Sequence, residues 1–436
     1  MDFKKLITQG AIWRGFYFFS LLLVNVFLSR YLQAGPTGNL YFITILFSFI
    51  QVILTMGMEA GMMYFASSGK ISRKYLMVIT CGWSFIAGLI MFFLVRLFFV
   101  LDHRLSDALA LPYAIFGFCF VTGMILMNFT TALFYTRENY MMPNLLLAII
   151  NFILVIIIPS KNSGTTLSEI NWVTYTYFAG FLLSGIVVMS AFAYTGRHES
   201  WGGRVEKKAI QSFFKYAFTA LAGNVLFFLV YRIDYLFVNA SPVCTDADLG
   251  NYIQVSKLGQ MMLVLPQIIA SVVFPQTAGG KMIDAIGKQI MILTRLFSQA
   301  YLLFFAFVLF FGNLFFTAIF GATFNAMQWP MLLLTPGILS LSVLAMLSAY
   351  FLGHGQVHIN MQGAALALMI MVLGDYLFVP KYGIIAAAIV SSVSYMTNLA
   401  YAIFRFNKYF NMPLSEFFSW RMSDYNWLKS VFKKNH

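Results

Sequence analysis

Six charged residues of this sequence lie inside long apolar runs, where a charge is costly. Arg232 and Asp234 interrupt the run TALAGNVLFFLVYRIDYLFVNA, and the other four are Arg14, Glu59, Lys257 and Asp375. An ionisable side chain in hydrocarbon marks a functional site by default. We therefore look for the chemistry of this protein among these six side chains.

The elements that carry these charges are membrane-spanning helices. Of the 436 residues, 60% are hydrophobic and 10% are charged, whereas soluble domains carry roughly 25% charged residues. A spanning helix needs about 20 apolar residues. Twelve such stretches occur, at approximately 7–29, 39–66, 76–99, 110–134, 143–160, 172–194, 213–239, 251–275, 294–319, 330–352, 361–379 and 384–406. The sequence predicts an all-α polytopic membrane protein whose short connections leave no room for a soluble catalytic domain.

The positive charge of the chain is distributed as a membrane topology requires. The net charge of +13 could suggest a nucleic-acid partner, but most of the 28 Lys and Arg residues lie on the side of the two termini. Three lie within spans, and the opposite side holds only Arg30, Arg96, Arg104, Lys161 and Lys381. This asymmetry predicts cytoplasmic termini and an even number of spans. We expect no nucleic-acid partner.

Two sets of six spans are separated by the polar stretch GRHESWGGR. We expect an N-terminal six-helix lobe at 1–195, a cytoplasmic loop at 196–212, a C-terminal six-helix lobe at 213–406 and an amphipathic cytoplasmic tail at 407–436. The segment that begins GNLY at Gly38 and ends SSGK at Lys70 resembles the one that begins GNYI at Gly250 and ends AGGK at Lys281. Because six spans per half give both halves the same orientation, this predicts a parallel repeat.

The depths of the buried charges suggest pairs. At about 1.5 Å per residue, Arg14 on span one and Glu59 on span two lie at similar depth, as do Asp234 on span seven and Lys257 on span eight. Positions i and i+2 of a helix do not face each other, so a contact between Lys257 and Asp234 would direct Arg232 elsewhere.

Each charge also has a structural interpretation. Arg14 and Lys257 could extend their side chains to the headgroups, and Arg232 with Asp234 could form a structural ion pair between spans seven and eight. Asp375, close to Lys381, is expected at the outer interface.

Other kinds of chemistry have no support in the sequence. The chain lacks the G-x-x-x-x-G-K-[ST] motif of ATP sites and any credible Ser, His and Asp arrangement. His354 and His358 have a metal-binding spacing without an accompanying carboxylate. We expect no enzyme activity, no cofactor and no metal.

Several segments, in this order along the chain, resemble the Wzx-type flippases of bacterial polysaccharide export in the multidrug/oligosaccharidyl-lipid/polysaccharide (MOP) exporter superfamily. In the first half RYLQAGPTG is similar to that family's turn between spans one and two, with Gln33 where Gly is usual, and MGMEAG is similar to its Phe-Gly-Leu segment. In the second half the matching positions are Asp234, Gly250, Tyr252, Lys257, Leu258, Pro266, Phe274, Pro275 and PKYGIIAA at 380–387.

The resemblance implies a two-lobed, MATE-like transporter that works by alternating access in the bacterial inner membrane. Its cargo would be an undecaprenyl-pyrophosphate-linked oligosaccharide, such as an O-antigen repeat unit, and its surroundings would be membrane lipids and polysaccharide-assembly proteins. Arginine suits bidentate phosphate recognition, so we assign the substrate diphosphate to Arg14, Arg232, Lys257 and Arg30. Burial favours the protonated form of a carboxyl group, so we assign ion coupling to Asp234 and Glu59.

Three other functions are possible for such a chain. A multidrug/cation antiporter of the same superfamily should have an acidic cavity, whereas this chain offers Arg14, Arg232 and Lys257 within its spans. A membrane polysaccharide polymerase or ligase should carry a large outer loop for its active site, and the outer loops here are short. A flippase for lipid-linked peptidoglycan precursors is a third possibility, although such proteins commonly carry two further spans.

The charge asymmetry yields a topology test. Reporter fusions after Lys70, Arg204 and Lys281 should report the cytoplasm, and a fusion after Lys161 should report the periplasm, because the basic connections stay inside. Paired cytoplasmic and periplasmic reporters at each site serve as mutual controls. A periplasmic signal after Lys70, Arg204 or Lys281 would contradict the predicted topology.

Overall fold

The chain is helical throughout the part that the structure describes. A computed structural model describes residues 3–101, 107–158, 167–199, 207–278, 283–410, 421 and 423–425. Contacts divide the chain into two compact units, residues 1–228 and residues 229–436. This division falls within one helix, some thirty residues after the start of the predicted inter-lobe loop at 196–212, and the predicted lobe boundaries stay a prediction.

The first unit contains the helices of predicted spans one to six and most of the following helix. In chain order they are α1 Phe3–Leu32, α2 Ala34–Leu54, α3 Met58–Ser67, α4 Arg73–Leu101, α5 Asp107–Tyr135, α6 Met141–Ile157, α7 Leu167–Thr195 and α8 Lys207–Arg232.

The second unit contains the end of α8 and the remaining helices, with a short 3-10 turn at Ala322–Phe324. These helices are α9 Asp234–Ala240, α10 Asp246–Met262, α11 Val264–Ala278, α12 Ile283–Phe320, α13 Gln328–Gly353 and α14 Val357–Phe410.

Within the described residues the predicted spans coincide with these helices, and their number and apolar character make the protein a multi-pass membrane protein. Among the described residues ten helical stretches are long and apolar enough to cross a bilayer, and α6 is a shorter apolar helix. One of the ten, α14, has 54 residues, which at 1.5 Å per residue greatly exceeds a hydrocarbon core of about 30 Å. With α14 taken as two spans and α6 as one, the helices correspond to the twelve predicted stretches.

The reversal inside α14 occurs at Gly383. Its φ of 59° is non-helical and falls in the left-handed region that glycine adopts without steric cost. A Cβ on Gly374 would lie 2.7 Å from Val390, and a Cβ on Gly363 would lie 2.3 Å from Asn398. The two arms of α14 therefore run antiparallel, and residues before the turn pack against residues after it.

Three further spans are interrupted near the candidate charges. Span two breaks between α2 and α3, span seven breaks at Ile233 between α8 and α9, and span eight breaks at Leu263 between α10 and α11. Pro266 accounts for the third break, because it lacks the N–H that would bond to the carbonyl of Met262. These breaks set the orientation of the charged side chains next to them.

The turn between α1 and α2 has a glycine-like backbone at a residue that is not glycine. Gln33 has a φ of 64° and a ψ of 178°, a conformation nearly restricted to glycine. The resembling flippases usually carry glycine at this position, and the backbone geometry here gives the physical reason.

Part of the predicted tail is docked on protein. Residues 411–420, 422 and 426–436, with most of the predicted amphipathic helix, lie outside the described residues. Asp424 accepts two hydrogen bonds from Arg295 of α12, at 2.6 and 2.7 Å, and both side chains are almost fully buried at 5% and 3% exposure. Tyr425 donates to Gln299 one turn further along α12, at 2.5 Å.

Breaking this buried ion pair should destabilise the protein. We expect Arg295→Ala to lower the free energy of unfolding by about 3–5 kcal/mol, because it leaves the Asp424 carboxylate buried without its partner. The exposed cation Lys381 offers a control, since Lys381→Ala should change stability by no more than about 0.5 kcal/mol. Thermal unfolding in detergent measures both variants, and equal melting temperatures would contradict the assignment.

Candidate functional site

Asp234 lies at the break in span seven and is held by hydroxyl groups from two other helices. It is the first residue of α9 and is 1% exposed. Its carboxylate accepts hydrogen bonds from the hydroxyl of Tyr252 on α10 at 2.6 Å and from the hydroxyl of Ser391 on the second arm of α14 at 3.1 Å. The backbone N–H of Tyr235 donates a third bond at 3.0 Å. The break at Ile233 thus places a carboxylate where three helices meet.

Asp375 is a second carboxyl group beside the first. It is 0% exposed and interacts electrostatically with Asp234 and with Tyr252. The reversal at Gly383 allows this approach, because it packs Gly374 against Val390, the sequence neighbour of the Ser391 that bonds to Asp234. Asp375 is therefore buried in protein beside Asp234, while its expected position at the outer interface stays a prediction.

Two neighbouring buried carboxyl groups constrain the charge of this site. Neither carboxylate oxygen of Asp375 has a hydrogen-bond partner among the described residues. Two such groups cannot both be ionised at low dielectric unless a positive charge accompanies them. Arg232 interacts with Asp234 and can stabilise one ionised member of the pair, which leaves the second carboxyl group to hold a proton or to share a small cation.

Two basic residues, Arg232 and Lys257, lie close to each other, and Arg232 also interacts electrostatically with Asp234. Arg232, the last residue of α8, donates to the amide oxygen of Gln260 at 2.6 Å and to the hydroxyl of Tyr235 at 3.2 Å. Its guanidinium also lies 5.5 Å from the centroid of the Tyr235 ring. Lys257 of α10 interacts electrostatically with Arg232.

Arg232 interacts electrostatically with Asp234, but its hydrogen bonds do not reach that carboxylate. They go to neutral side chains, whereas Asp234 is bonded to hydroxyls and to its own backbone. The contact between Lys257 and Asp234 considered from the sequence is not among these bonds, and Arg232 and Asp234 turn to different partners. Two adjacent like charges suit a ligand with two negative charges.

The first unit holds a separate cluster around Arg14 and Glu59. Arg14 of α1 interacts electrostatically with Glu59 in the first turn of α3, and both interact with Tyr135 of α5. Arg14 and Glu59 are exposed, so their charged ends remain accessible. The structure thus brings together the pair that the matched depths predict.

Arg30 lies apart from this cluster. It occupies the last turn of α1, sixteen residues or about 24 Å along the helix from Arg14. This distance places Arg30 at a different level from the pair of Arg14 and Glu59. The residue is exposed.

Several residues of the cluster around Asp234 and Arg232 are not identified as site residues from the sequence. Asp375 is recognised as an intramembrane charge, but nothing local reveals the antiparallel packing that buries it. Tyr252 is a matching position in the resembling family, and its hydroxyl is now seen on Asp234. Ser391 and Gln260 carry no signal that separates them from other polar residues in spans.

Comparisons with known proteins identify the fold. Neither a protein-family model nor a curated protein matches the chain. Among solved structures, the lipid II flippase MurJ in an inward closed conformation has a TM-score of 0.65 at 16% identity, over 94% of this chain and 88% of that one. The Vibrio cholerae MATE transporter VcmN in the bent form has a TM-score of 0.65 at 14% identity, over 95% and 99% of the chains.

A third neighbour is a MOP superfamily transporter from Pyrococcus furiosus, described by a reverse polarity of its binding pocket that suggests a different function. It has a TM-score of 0.61 at 12% identity, over 92% of this chain and 94% of that one. These likenesses show that the chain has the all-helical fold of MOP superfamily transporters.

Proposed function

We propose that the protein is a flippase for an undecaprenyl-pyrophosphate-linked oligosaccharide, an O-antigen or related repeat unit. It moves this lipid from the inner to the outer leaflet of the bacterial inner membrane by alternating access, with both termini in the cytoplasm. The lipid tail stays in the bilayer while the diphosphate and the sugars cross.

The observation that carries the proposal is the pair of cations in the second unit. Arg232 interacts electrostatically with Lys257 and donates its hydrogen bonds to neutral side chains. A diphosphate would compensate both charges, and the planar guanidinium suits bidentate contact with phosphate oxygens. The exposed Arg14 supplies a further cation in the first unit. The likeness to MurJ supports a lipid-linked cargo.

The multidrug/cation antiporter is the nearest alternative, because MATE transporters share the fold to the same degree. The two kinds of charge in the second unit separate the functions. Asp234 and Asp375 are fully buried, whereas Arg232 and Lys257 are partly exposed. A large ligand therefore meets cations, and the buried acids suit a small ion. A polysaccharide polymerase or ligase finds no support, since the structural neighbours are transporters.

We assign ion coupling to the carboxyl pair of Asp234 and Asp375, with Glu59 as a second coupling group in the first unit. Binding of a diphosphate to Arg232 and Lys257 would add negative charge near Asp234. That charge strengthens the affinity of the carboxyl pair for a proton or another small cation, so cargo and ion occupancy are linked.

Removing the cations should abolish transport without unfolding the protein. We expect Arg14→Ala, Arg232→Ala and Lys257→Ala each to eliminate most surface polysaccharide, because the diphosphate loses its counter-charge at low dielectric. Arg232→Lys should restore only part of the activity, since an ammonium cannot form the bidentate contact. Polysaccharide on the cell surface and the amount of protein in the membrane are measured together.

Lys381→Ala is the matched control for these variants. It removes an exposed cation outside both clusters and should leave surface polysaccharide unchanged. Normal polysaccharide in all three alanine variants would reject diphosphate binding by these residues.

The coupling role of Asp234 has its own test. Asp234→Asn keeps the shape of the side chain but replaces one acceptor oxygen with an N–H donor, and it cannot titrate or neutralise a bound cation. In vesicles we expect this variant to bind the lipid-linked cargo and to lose flipping driven by an imposed ion gradient. Separate proton and sodium gradients across the wild-type protein identify the ion.

Two comparisons complete that experiment. Asp375→Asn should cause a similar loss if the two carboxyl groups share one cation, whereas Asp246→Asn, an exposed acid at the start of α10, should not. Full gradient-dependent flipping by Asp234→Asn would show that Asp234 is not the coupling group.

A further inference from the structure

The break in span two leaves a backbone carbonyl open inside the membrane. In a continuous helix the N–H of Met58 would bond to the carbonyl of Leu54. Here Met56 and Gly57 have positive φ angles of 49° and 68°, and the N–H of Met58 bonds instead to the carbonyl of Thr55 at 2.9 Å. A carbonyl without a donor is costly in hydrocarbon, so the oxygen of Leu54 needs a partner from elsewhere.

Trp83 supplies that partner. Its indole N–H on α4 donates to the carbonyl oxygen of Leu54 at 2.7 Å. Without this bond, the chain could regain a donor for Leu54 by returning the N–H of Met58 to it, which would convert α2 and α3 into one continuous helix. The indole thus stabilises the broken form of span two over the continuous form.

The opposite side of the break is fixed by close contact with α8. A Cβ on Gly57 would lie 2.2 Å from the carbonyl oxygen of Ala217, and a Cβ on Gly61 would lie 2.8 Å from the ring of Phe213. Tyr64 stacks on Tyr216 with ring centroids 5.4 Å apart. Small residues four positions apart let two helices approach closely, so α3 is pressed against α8 along this face.

Glu59 occupies the other face of α3. Positions 57 and 61 share one side of the helix, and position 59 lies nearly opposite at 100° per residue. There Glu59 interacts with Arg14 and Tyr135. The direction in which Glu59 points is set by the two residues of left-handed backbone at the break, because loss of the break would rotate α3 about its axis.

We propose that Trp83 is a positioning residue that acts through the Leu54 carbonyl to hold Glu59 beside Arg14. This inference rests on the proposed role of Glu59 in transport, and it adds a residue that touches neither cargo nor ion. Trp83 keeps span two broken, α8 keeps it in register, and together they present one carboxylate to one guanidinium.

The first experiment measures the position of residue 59 without any cargo. In a background with Cys81, Cys119 and Cys244 replaced by alanine, Glu59→Cys is labelled with a water-soluble maleimide. We expect Trp83→Phe, which keeps an aromatic ring and removes the N–H, to change the labelling rate at least several-fold. Trp172→Phe, at an exposed tryptophan of α7, should leave the rate unchanged. An unchanged rate in Trp83→Phe would overturn the proposal.

A second variant covers the case in which Trp83→Phe does not insert. Trp83→His again offers a ring N–H, from a smaller ring, and should label at a rate between those of the wild type and a protein without the donor. Trp83→Ala removes both the ring and the donor. If the labelling rate at position 59 in this variant equals the rate in the wild type, the positioning role is rejected.

The second experiment is a double-mutant cycle on flipping in vesicles. We expect Trp83→Phe to lower the flipping rate roughly tenfold, the factor that corresponds to the free-energy cost of a buried carbonyl without its donor. In the Glu59→Gln background the same substitution should have no further effect on the rate. Multiplying effects would show that Trp83 does not act through Glu59. If the wild type moves no lipid-linked cargo while labelling still depends on Trp83, the proposed function fails and the positioning role stands.

Discussion

The exclusion of water from the bilayer core governs this structure, because each backbone carbonyl, carboxylate and cation there needs a partner within the protein. Each interruption of a span creates such a need and meets it locally. The open carbonyl of Leu54 takes the indole N–H of Trp83, and Asp234 at the next break takes two hydroxyls. The two carboxylate oxygens of Asp375 are an exception, because they have no hydrogen-bond partner among the described residues.

The second unit contains a pair of acids and a pair of basic residues that differ in their exposure. Asp234 and Asp375 are fully buried and can accept only a small positive species. Arg232 and Lys257 are partly exposed and interact with each other, and Arg232 also interacts electrostatically with Asp234. In the proposed function the anionic cargo binds this cation pair, and through Arg232 its binding changes the affinity of the carboxyl pair for a small cation.

The sequence predicts the spans well, because a helix that crosses the hydrocarbon core needs a run of about 20 apolar residues, and such runs are visible in the sequence. It also predicts that Arg14 meets Glu59, since neighbouring helices of matched depth bring such residues together. It does not predict the burial of Asp375 beside Asp234, because that burial depends on the reversal at Gly383 and on the packing of Gly374 against Val390. The ion pair of Arg295 and Asp424 joins residues 129 positions apart, and no local pattern links them.

The proposed cargo is a diphosphate-linked lipid and not a cation. The most direct measurement uses the purified protein in vesicles that hold an undecaprenyl-diphosphate-linked oligosaccharide or, in parallel, a lipophilic cationic dye. If the protein is a flippase for this lipid, we expect the oligosaccharide to become accessible to an impermeant sugar-modifying enzyme on the far leaflet, at a rate that depends on the protein. The distribution of the dye should stay unchanged. Protein-dependent movement of the dye with no movement of the oligosaccharide would contradict the proposed function.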